Sequence, residues 1–282
     1  NEAGYDKVVL VAHSMGGLVA SGYMALGETQ RAKVQKIFYL ASPLLGCGEV
    51  VNIWYNLDFS ALDKDIAPYA GLINTVLSLV TLKTDPIRKL VCNFPSIYEL
   101  MPSEQYFTLA GKSYITKSSD IEPDIQEYTT YSSTMSLISD ILSQFNQALM
   151  TNAEAFHVSL YLTNGLHISS LTDSYYLYGT GLDTPVTYNY HFRAYTPMVG
   201  YFLSSPVPNE NTPKLGDSLV AQWSAALGGN SAYNDKIYRC LNENHSHMNI
   251  MDSNVDVRNF IRDIILENYV YAELKNFIKG YE

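Results

Sequence analysis

The feature that most constrains this chain is a strand, a sharp turn and a helix close together near its beginning. Lys7 to Ala12 is mostly β-branched and apolar, as in a buried strand, and Gly16 to Leu26 changes to the apolar spacing of a helix. Ser14 lies on the turn between them. Together, Val8 to Gly17 match a nucleophile elbow, a turn that lifts a serine hydroxyl clear of a sheet. Ser14 is therefore the predicted nucleophile.

The residues around the serine carry further expectations. The turn is crowded two positions either side of the serine, so small residues are needed there. Gly16 satisfies one side, and Ala12 stands where glycine is usual but is small enough to be tolerated. The Met15 N–H, at the positive end of the helix, is expected to donate to the oxyanion that forms on a substrate. A strand-to-helix turn without chemistry is the alternative.

A second strand defines the fold class. Gly27 ends the helix, and Lys36 to Ala41 forms the next strand. Parallel strands joined by a helix make a βαβ unit. We expect an α/β-hydrolase fold, a mostly parallel sheet flanked by helices, with its core in residues 1–48 and 165–282. N-terminal strands of this fold are expected to be missing from this chain.

Residues 49–164 are expected to form a large helical lid or cap inserted into this core, because their helical apolar patterns have no obvious strands between them. Leu72 to Leu82 is one candidate helix. A second has an apolar face made of Ile138, Ile141, Leu142, Phe145 and Leu149. These faces either pack on the core or, in a mobile lid, meet a lipid.

Two later strands, a loop and a helix belong to the predicted core. Strands are expected at Ser174 to Tyr178 and at Val186 to Tyr195. The loop from Pro206 to Leu215 follows them. Val255 to Phe277 has the periodicity of a helix that packs against a sheet.

A serine nucleophile needs a base, and the base needs a carboxylate that fixes its tautomer. In this fold the three residues follow one another as serine, acid and histidine. Asp217 lies at the start of Asp-Ser-Leu-Val between late strands, where a short loop can present its carboxylate. Asp183 is the rival, and either aspartate could be an ordinary turn residue. We predict Asp217 as the acid.

Two histidines, His245 and His247, precede the last helix, where the fold places its base. His247 is preferred because it leads directly into Met-Asn-Ile-Met. The pair could also bind a metal, but no carboxylate or cysteine cluster accompanies it, so no metal is predicted. The other histidines beyond the elbow precede the acid and are interpreted as structural: His157, His167 and His191.

With these residues in place, the chain resembles the lecithin:cholesterol acyltransferase family of α/β-hydrolases, which includes phospholipases and phospholipid:diacylglycerol acyltransferases. Besides the elbow, three segments carry the resemblance: Ala41 to Gly46, Phe94 to Ser103 and Tyr178 to Pro185. The second of these resembles a family signature inside the insertion, and the third resembles the strand end that precedes the family's catalytic acid.

The resemblance extends to the predicted acid. Asp217 aligns with the aspartate of the family's Gly-Asp-Gly-Thr-Val-Pro segment, whereas Asp183 falls where the family often has proline. Three neighbours of the acid depart from that segment: Ser218, Leu219 and Ala221. We also assign substrate contact to His13, Leu44 and Leu45.

The activity that the resemblance implies is transfer of an acyl chain from a lipid ester to Ser14, and then to water or an alcohol. Hydrolysis needs less machinery than transfer, so a lipid esterase or phospholipase is preferred to a dedicated acyltransferase. Two other interpretations stay open. One is a binding protein that kept the fold and lost catalysis, and the other is a serine peptidase or amidase on the same fold.

Composition bears on the partners. Eighteen Lys and Arg against 28 Asp and Glu give a net charge of −10, which repels a nucleic-acid backbone. No cofactor is expected. The expected partners are a lipid or other acyl-ester substrate, and an upstream segment or a separate chain that completes the sheet. Three cysteines leave at least one thiol free, and the compartment stays open with a lean towards secretion or the cell surface.

Overall fold

A computed structural model of the chain describes residues 6–56, 89–110, 113–122, 124–142, 144–194, 200–204, 215–240, 246–252, 255–266 and 277–279. The chain divides into two compact units. The first unit comprises Asn1–Leu45, Ala155–Thr184 and Pro213–Glu282, and the second comprises Gly46–Glu154 and Pro185–Thr212. The second unit takes in two stretches of chain, whereas the sequence predicted one insertion over residues 49–164.

Both units contain strands and helices. The strands of the described residues are β1 (Val8–His13), β2 (Val34–Leu40), β3 (Ile115–Ser119), β4 (Gln126–Tyr128), β5 (Asp173–Gly179), β6 (Tyr188–Arg193), β7 (Gly200–Ser204), β8 (Ile237–Cys240) and β9 (Phe277–Lys279). The α-helices are α1 (Gly16–Ala25), α2 (Glu28–Arg31), α3 (Glu49–Asn56), α4 (Pro95–Glu99), α5 (Glu104–Ala110), α6 (Tyr131–Ile141), α7 (Gln147–Ser159), α8 (Gln222–Ala225), α9 (Asn249–Asp252) and α10 (Val255–Ile265). Short 3₁₀ turns occupy Ile168–Leu171, Leu227–Gly229 and Ser231–Lys236.

The first unit is built on a sheet in the order β1-β2-β5-β8-β9. The first four strands are parallel, and β9 runs antiparallel to β8. All but one residue of β2 are buried, as expected for a parallel strand covered on both faces. The predicted parallel sheet, with strands near Lys7–Ala12, Lys36–Ala41 and Ser174–Tyr178, is confirmed.

Helix α10 packs its apolar side against this sheet, which confirms the predicted packing for Val255–Ile265, whereas Phe277, the end of the predicted helix, begins strand β9. Val257, Phe260 and Ile264 recur at helical spacing and are at most 5% exposed. They share one core cluster with residues of β2, β5 and β8, with Ala41 directly after β2, and with Ile250 of α9: Phe38, Leu40, Ala41, Tyr175, Leu177, Cys240 and Ile250.

The second unit contains a four-stranded sheet in the order β4-β3-β6-β7. Strands β3 and β4 lie inside 49–164, so the prediction of a purely helical insertion is wrong. These strands are short and mostly polar, so they lack the apolar pattern that predicts a strand. The predicted strand Val186 to Tyr195 exists as β6, but it pairs with β3 and β7 in this second sheet.

The predicted apolar helix face from Ile138 to Leu149 is divided between two helices. Helix α6 ends at Ile141, because Leu142 is extended, and Gln144 then has a φ of 68°. Helix α7 begins at Gln147. Apolar spacing continued through the turn by coincidence. The other candidate helix, Leu72 to Leu82, lies outside the described residues.

Three features of the described part bear on the sequence-based expectations. Cys47, Cys92 and Cys240 are all free thiols, and all are buried. No helix in that part is both long and apolar enough to span a bilayer. The same residues contain no group of three or more histidine, cysteine or acidic side chains arranged to hold a metal ion.

Strand β1 is an edge of its sheet within the described residues. Its neighbour there is β2, and the Val8 and Ser14 N–H groups donate towards that neighbour, to Lys33 O at 2.9 Å and Leu40 O at 3.0 Å. Val8 and Val11 are 51% and 50% exposed, a large fraction for valines on a strand. An apolar open edge of this kind is a template for another strand.

The expectation that a further strand covers β1 stays a prediction, which amide hydrogen exchange can test. Successive N–H groups of a strand point to opposite edges, so those of Leu10 and Ala12 face β2 and those of Val9 and Val11 face the open edge. If the edge is covered, all four amides are protected. Rapid exchange at Val9 and Val11 beside protected Leu10 and Ala12 would contradict that prediction.

Candidate active site

The turn after β1 holds Ser14 in a strained conformation. Its φ is 52°, in the left-handed region that few residues other than glycine adopt. The Ser14 N–H donates to Leu40 O at 3.0 Å, and its carbonyl accepts from the Gly17 N–H at 2.9 Å. Ser14 is half-buried and stands at the carboxyl end of β1, just before α1. The Met15 N–H lies at the start of that helix, where N–H groups lack intrahelical acceptors.

The tight position beside the serine is Gly17, and the expected crowding at Gly16 is wrong. A Cβ at Gly16 would meet nothing within 4 Å, whereas a Cβ at Gly17 would lie 2.3 Å from Ser42 Oγ and 2.4 Å from Ser42 Cβ. Helix α1 therefore approaches the chain after β2 closely at Gly17. Ala12 is buried at 7% exposure, and its carbonyl accepts from Ser42 Oγ at 3.3 Å.

His247 is held at both its main chain and its ring. Its N–H donates to Asp217 O at 2.8 Å, and its carbonyl accepts from His13 Nε2 at 2.7 Å. Its Nδ1 lies 2.9 Å from Asp217 Oδ2, and its Nε2 lies 2.8 Å from Ser14 Oγ. A carboxylate only accepts, so Nδ1 carries the ring proton and Nε2 presents a lone pair to the serine hydroxyl.

Asp217 is presented by a tight turn that occupies one of its two carboxylate oxygens. Oδ1 accepts from the Leu219 N–H at 3.0 Å and the Val220 N–H at 2.7 Å. Ser218 has a φ of 85°, and its N–H donates to Thr184 Oγ1 at 3.0 Å. The carboxylate is almost fully buried, and the turn leaves Oδ2 for the histidine. The left-handed Ser218 explains why a glycine suits this position.

The structure thus brings together three of the predicted site residues, Ser14, Asp217 and His247. Asp183, the rival acid, is exposed, and no hydrogen bond of the described residues joins it to His247. His245, the rival base, lies outside the described residues.

The predicted substrate contacts differ in accessibility. Leu44 and Leu45 are buried, at 2% and 0% exposure, and His13 is half-buried. The observed partner of the His13 ring is the main chain of His247. Substrate contact by these residues stays a prediction.

Two of the histidines interpreted as structural are deeply buried in the first unit. His157 is 6% exposed. The His167 N–H donates to the Tyr233 hydroxyl at 2.7 Å, and its Nδ1 lies 2.6 Å from Ser169 Oγ. Burial lowers the pKa of His167 to about 3, so this ring is neutral at ordinary pH.

A second Ser–His–Asp set occurs in the second unit. His191 Nδ1 lies 2.7 Å from Ser118 Oγ, and His191 Nε2 lies 2.7 Å from Asp120 Oδ1. The Ala194 N–H, which donates to the other Asp120 oxygen, lowers the pKa of that carboxyl. Ser118 lies inside regular strand β3, however, with no sharp turn and no helix after it to supply N–H groups. We interpret these hydrogen bonds as a structural link between β3 and β6.

Sequence reasoning missed two supporting side chains, Ser42 and Thr184. Ser42 fills the space that Gly17 leaves and bonds to the Ala12 carbonyl, 30 positions away. Thr184 Oγ1 accepts from the turn that carries Asp217, 34 positions from its donor. Both lie in segments that the family resemblance singled out, but their partners follow only from the packing.

Comparisons with known proteins found a match to a protein family and a similarity to a solved structure. Residues 1–57 match a family described as "PGAP1-like alpha/beta domain". No curated protein matches the chain. A solved structure titled "The crystal structure of Tle4-Tli4 complex" is similar at 14% identity with a TM-score of 0.47, over 80% of this chain and 53% of that chain. The chain therefore spans about half the length of that solved chain.

The parallel sheet, the serine turn and the matched domain together define the class: the first unit has an α/β-hydrolase fold. The family match covers the segment from before β1 into α3, which includes the serine turn. The comparisons do not extend to the lecithin:cholesterol acyltransferase family in particular.

The close approach at Gly17 yields a stability prediction with a matched control. Gly17→Ala should destabilise the fold by about 1–3 kcal/mol, because the added methyl overlaps both side-chain atoms of Ser42. Gly16→Ala should be neutral or stabilising by up to about 1 kcal/mol, because its methyl meets open space in a helix. Urea unfolding of the two variants measures the difference. Equal stabilities would contradict the assigned packing.

Proposed function

We propose that this protein is a serine esterase that cleaves lipid esters through an acyl-enzyme. The observation that carries the proposal is the position of His247, whose two ring nitrogens lie 2.8 Å from Ser14 Oγ and 2.9 Å from Asp217 Oδ2. A nucleophile within reach of a base, with the base oriented by a third group, is the geometry that activates a serine hydroxyl.

The first half of the reaction forms the acyl-enzyme. Ser14 Oγ attacks the ester carbonyl carbon while its proton passes to His247 Nε2. The Asp217 carboxylate accepts a hydrogen bond from His247 Nδ1–H and stabilises the imidazolium that results. The tetrahedral intermediate then collapses, the bond to the alcohol oxygen breaks, and His247 returns the proton to that leaving alcohol.

The second half releases the acyl group. Water, or a second alcohol, gives its proton to His247 Nε2 as its oxygen attacks the acyl carbon. Collapse of this intermediate breaks the bond to Ser14 Oγ, which takes the proton back. The products are a carboxylic acid after hydrolysis or a new ester after transfer, and hydrolysis is preferred because it needs no second alcohol pocket.

Stabilisation of the oxyanion is assigned to the start of α1. The Met15 N–H follows Ser14 directly and lies at the positive end of the helix dipole. Removal of one such preorganised donor typically lowers kcat by about 10²–10³-fold. A second donor is expected from another loop of the fold.

The lipid part of the proposal rests on the family resemblance. The segments at 41–46, 94–103 and 178–185 support a lipid or other acyl-ester substrate, and His13, Leu44 and Leu45 are proposed to contact it. The match to a PGAP1-like domain supports the hydrolase class. A binding protein without catalysis is disfavoured because the serine, histidine and aspartate are in bonding distance.

The proposal is tested by treating the full protein with a long-chain fluorophosphonate and locating the adduct by mass spectrometry. An adduct on Ser14 is expected, and Ser14→Ala should abolish it, while His247→Ala should slow labelling by about 10³-fold or more because the base is lost. Ser118→Ala is the matched control, since it removes the serine of the second Ser–His–Asp set and should label normally.

Each outcome separates the competing interpretations. No adduct on the folded wild-type protein would favour a binding protein without catalysis. An adduct on Ser118 would assign the chemistry to the second unit. Competition between fluorophosphonates of different chain length would then distinguish a lipid esterase, which prefers long chains, from a peptidase or amidase.

A further inference from the structure

The His13 ring contacts the residue proposed as the base, and the proposed mechanism gives this contact no role. His13 Nε2 lies 2.7 Å from the His247 carbonyl oxygen, across 234 positions of chain. The two rings are tilted by 43° with their centroids 4.9 Å apart. His13 is also the last residue of β1 and immediately precedes Ser14.

The direction of this hydrogen bond fixes the tautomer of His13. A carbonyl oxygen only accepts, so Nε2 of His13 carries the proton and donates. Burial, together with the charge that His247 can carry, lowers the pKa of His13. The ring is therefore a neutral donor, with no positive charge to oppose the proton that His247 receives.

With this bond, both main-chain polar groups of His247, its N–H and its carbonyl, are hydrogen-bonded. On one side the His247 N–H donates to Asp217 O at 2.8 Å, and on the other its carbonyl accepts from His13. The ring is separately bonded to Asp217 and Ser14. His13 and Ser14 are adjacent in sequence, so one dipeptide contacts both the main chain and the reactive nitrogen of the histidine.

We infer that His13 is a positioning residue, which sets the distance between the base and the nucleophile by holding the main chain of His247 to the end of β1. This inference rests on the proposed function of Ser14, Asp217 and His247. It differs from the substrate contact proposed for His13 because it requires a donor at the Nε2 position, which that contact does not need.

Three variants of the full chain separate these roles. His13→Gln keeps an N–H donor near the Nε2 position, His13→Asn keeps a donor that is too short to reach, and His13→Phe keeps a ring without a donor. The measurements are the rate of Ser14 labelling by the fluorophosphonate, and kcat and KM for p-nitrophenyl butyrate.

The positioning role predicts a specific pattern. His13→Phe and His13→Asn should lower the labelling rate and kcat by about 10- to 100-fold with KM within about twofold, because small misplacements of a base cost rate and not binding. His13→Gln should restore both to within about threefold. A His13→Phe variant at the wild-type rate would overturn the inference, as would a failure of glutamine to do better than asparagine.

A readout that needs no turnover keeps this test separate from the proposed function. The bonded Nδ1 proton of His247 should give a strongly downfield proton signal, identified by its loss in His247→Ala. The signal should persist in His13→Gln and shift or broaden in His13→Phe. If Ser14 proves unreactive, the proposed function fails, and this signal still decides whether His13 positions His247. An unchanged signal in His13→Phe would overturn the positioning role.

Discussion

The site depends on one imidazole that joins two distant parts of the chain. His247 bonds to Ser14 across 233 positions and to Asp217 across 30. A contact of such sequence separation depends on a sheet that brings the ends of distant strands together. In a parallel sheet the carboxyl ends of the strands lie at one edge, where loops from separate strands meet. Ser14 follows β1, the Asp217 turn comes between β5 and β8, and His247 comes after β8.

The same edge carries unusual backbone conformations. Ser14, Ala41 and Ser218 all have positive φ angles, of 52°, 49° and 85°. Each costs of order 1 kcal/mol or more for a residue with a Cβ. Hydrogen bonds offset this cost: the Ser14 N–H donates to Leu40 O, and the Ala41 N–H donates to Leu177 O at 2.8 Å. These bonds to the sheet hold the strained turns in place, and the turn at Ser14 directs the Ser14 side chain away from the sheet.

The sequence predicted the parts of the molecule that rest on local pattern. The first parallel strands and α10 have apolar spacing typical of a strand and of a helix, and the serine turn lies between two such elements. Chain order reduced the acid to Asp217 or Asp183 and the base to His247 or His245, and local position then favoured Asp217 and His247. The second sheet was missed because β3 and β4 are polar and short. Crowding at Gly17 was also missed. It depends on Ser42, 25 positions away, and nothing in the spacing of residues 12–17 reports that neighbour.

Two Ser–His–Asp sets in one chain show that residue identity does not define the site. Both have hydrogen bonds of 2.7–2.9 Å. Around Ser118 the acid holds Nε2 and the serine faces Nδ1, on a regular strand of the second unit. Around Ser14 the acid holds Nδ1, the serine stands on a strained turn, and a helix start supplies N–H groups. Preorganised donors of this kind stabilise a developing oxyanion. The backbone around the serine is therefore what assigns the proposed chemistry to Ser14.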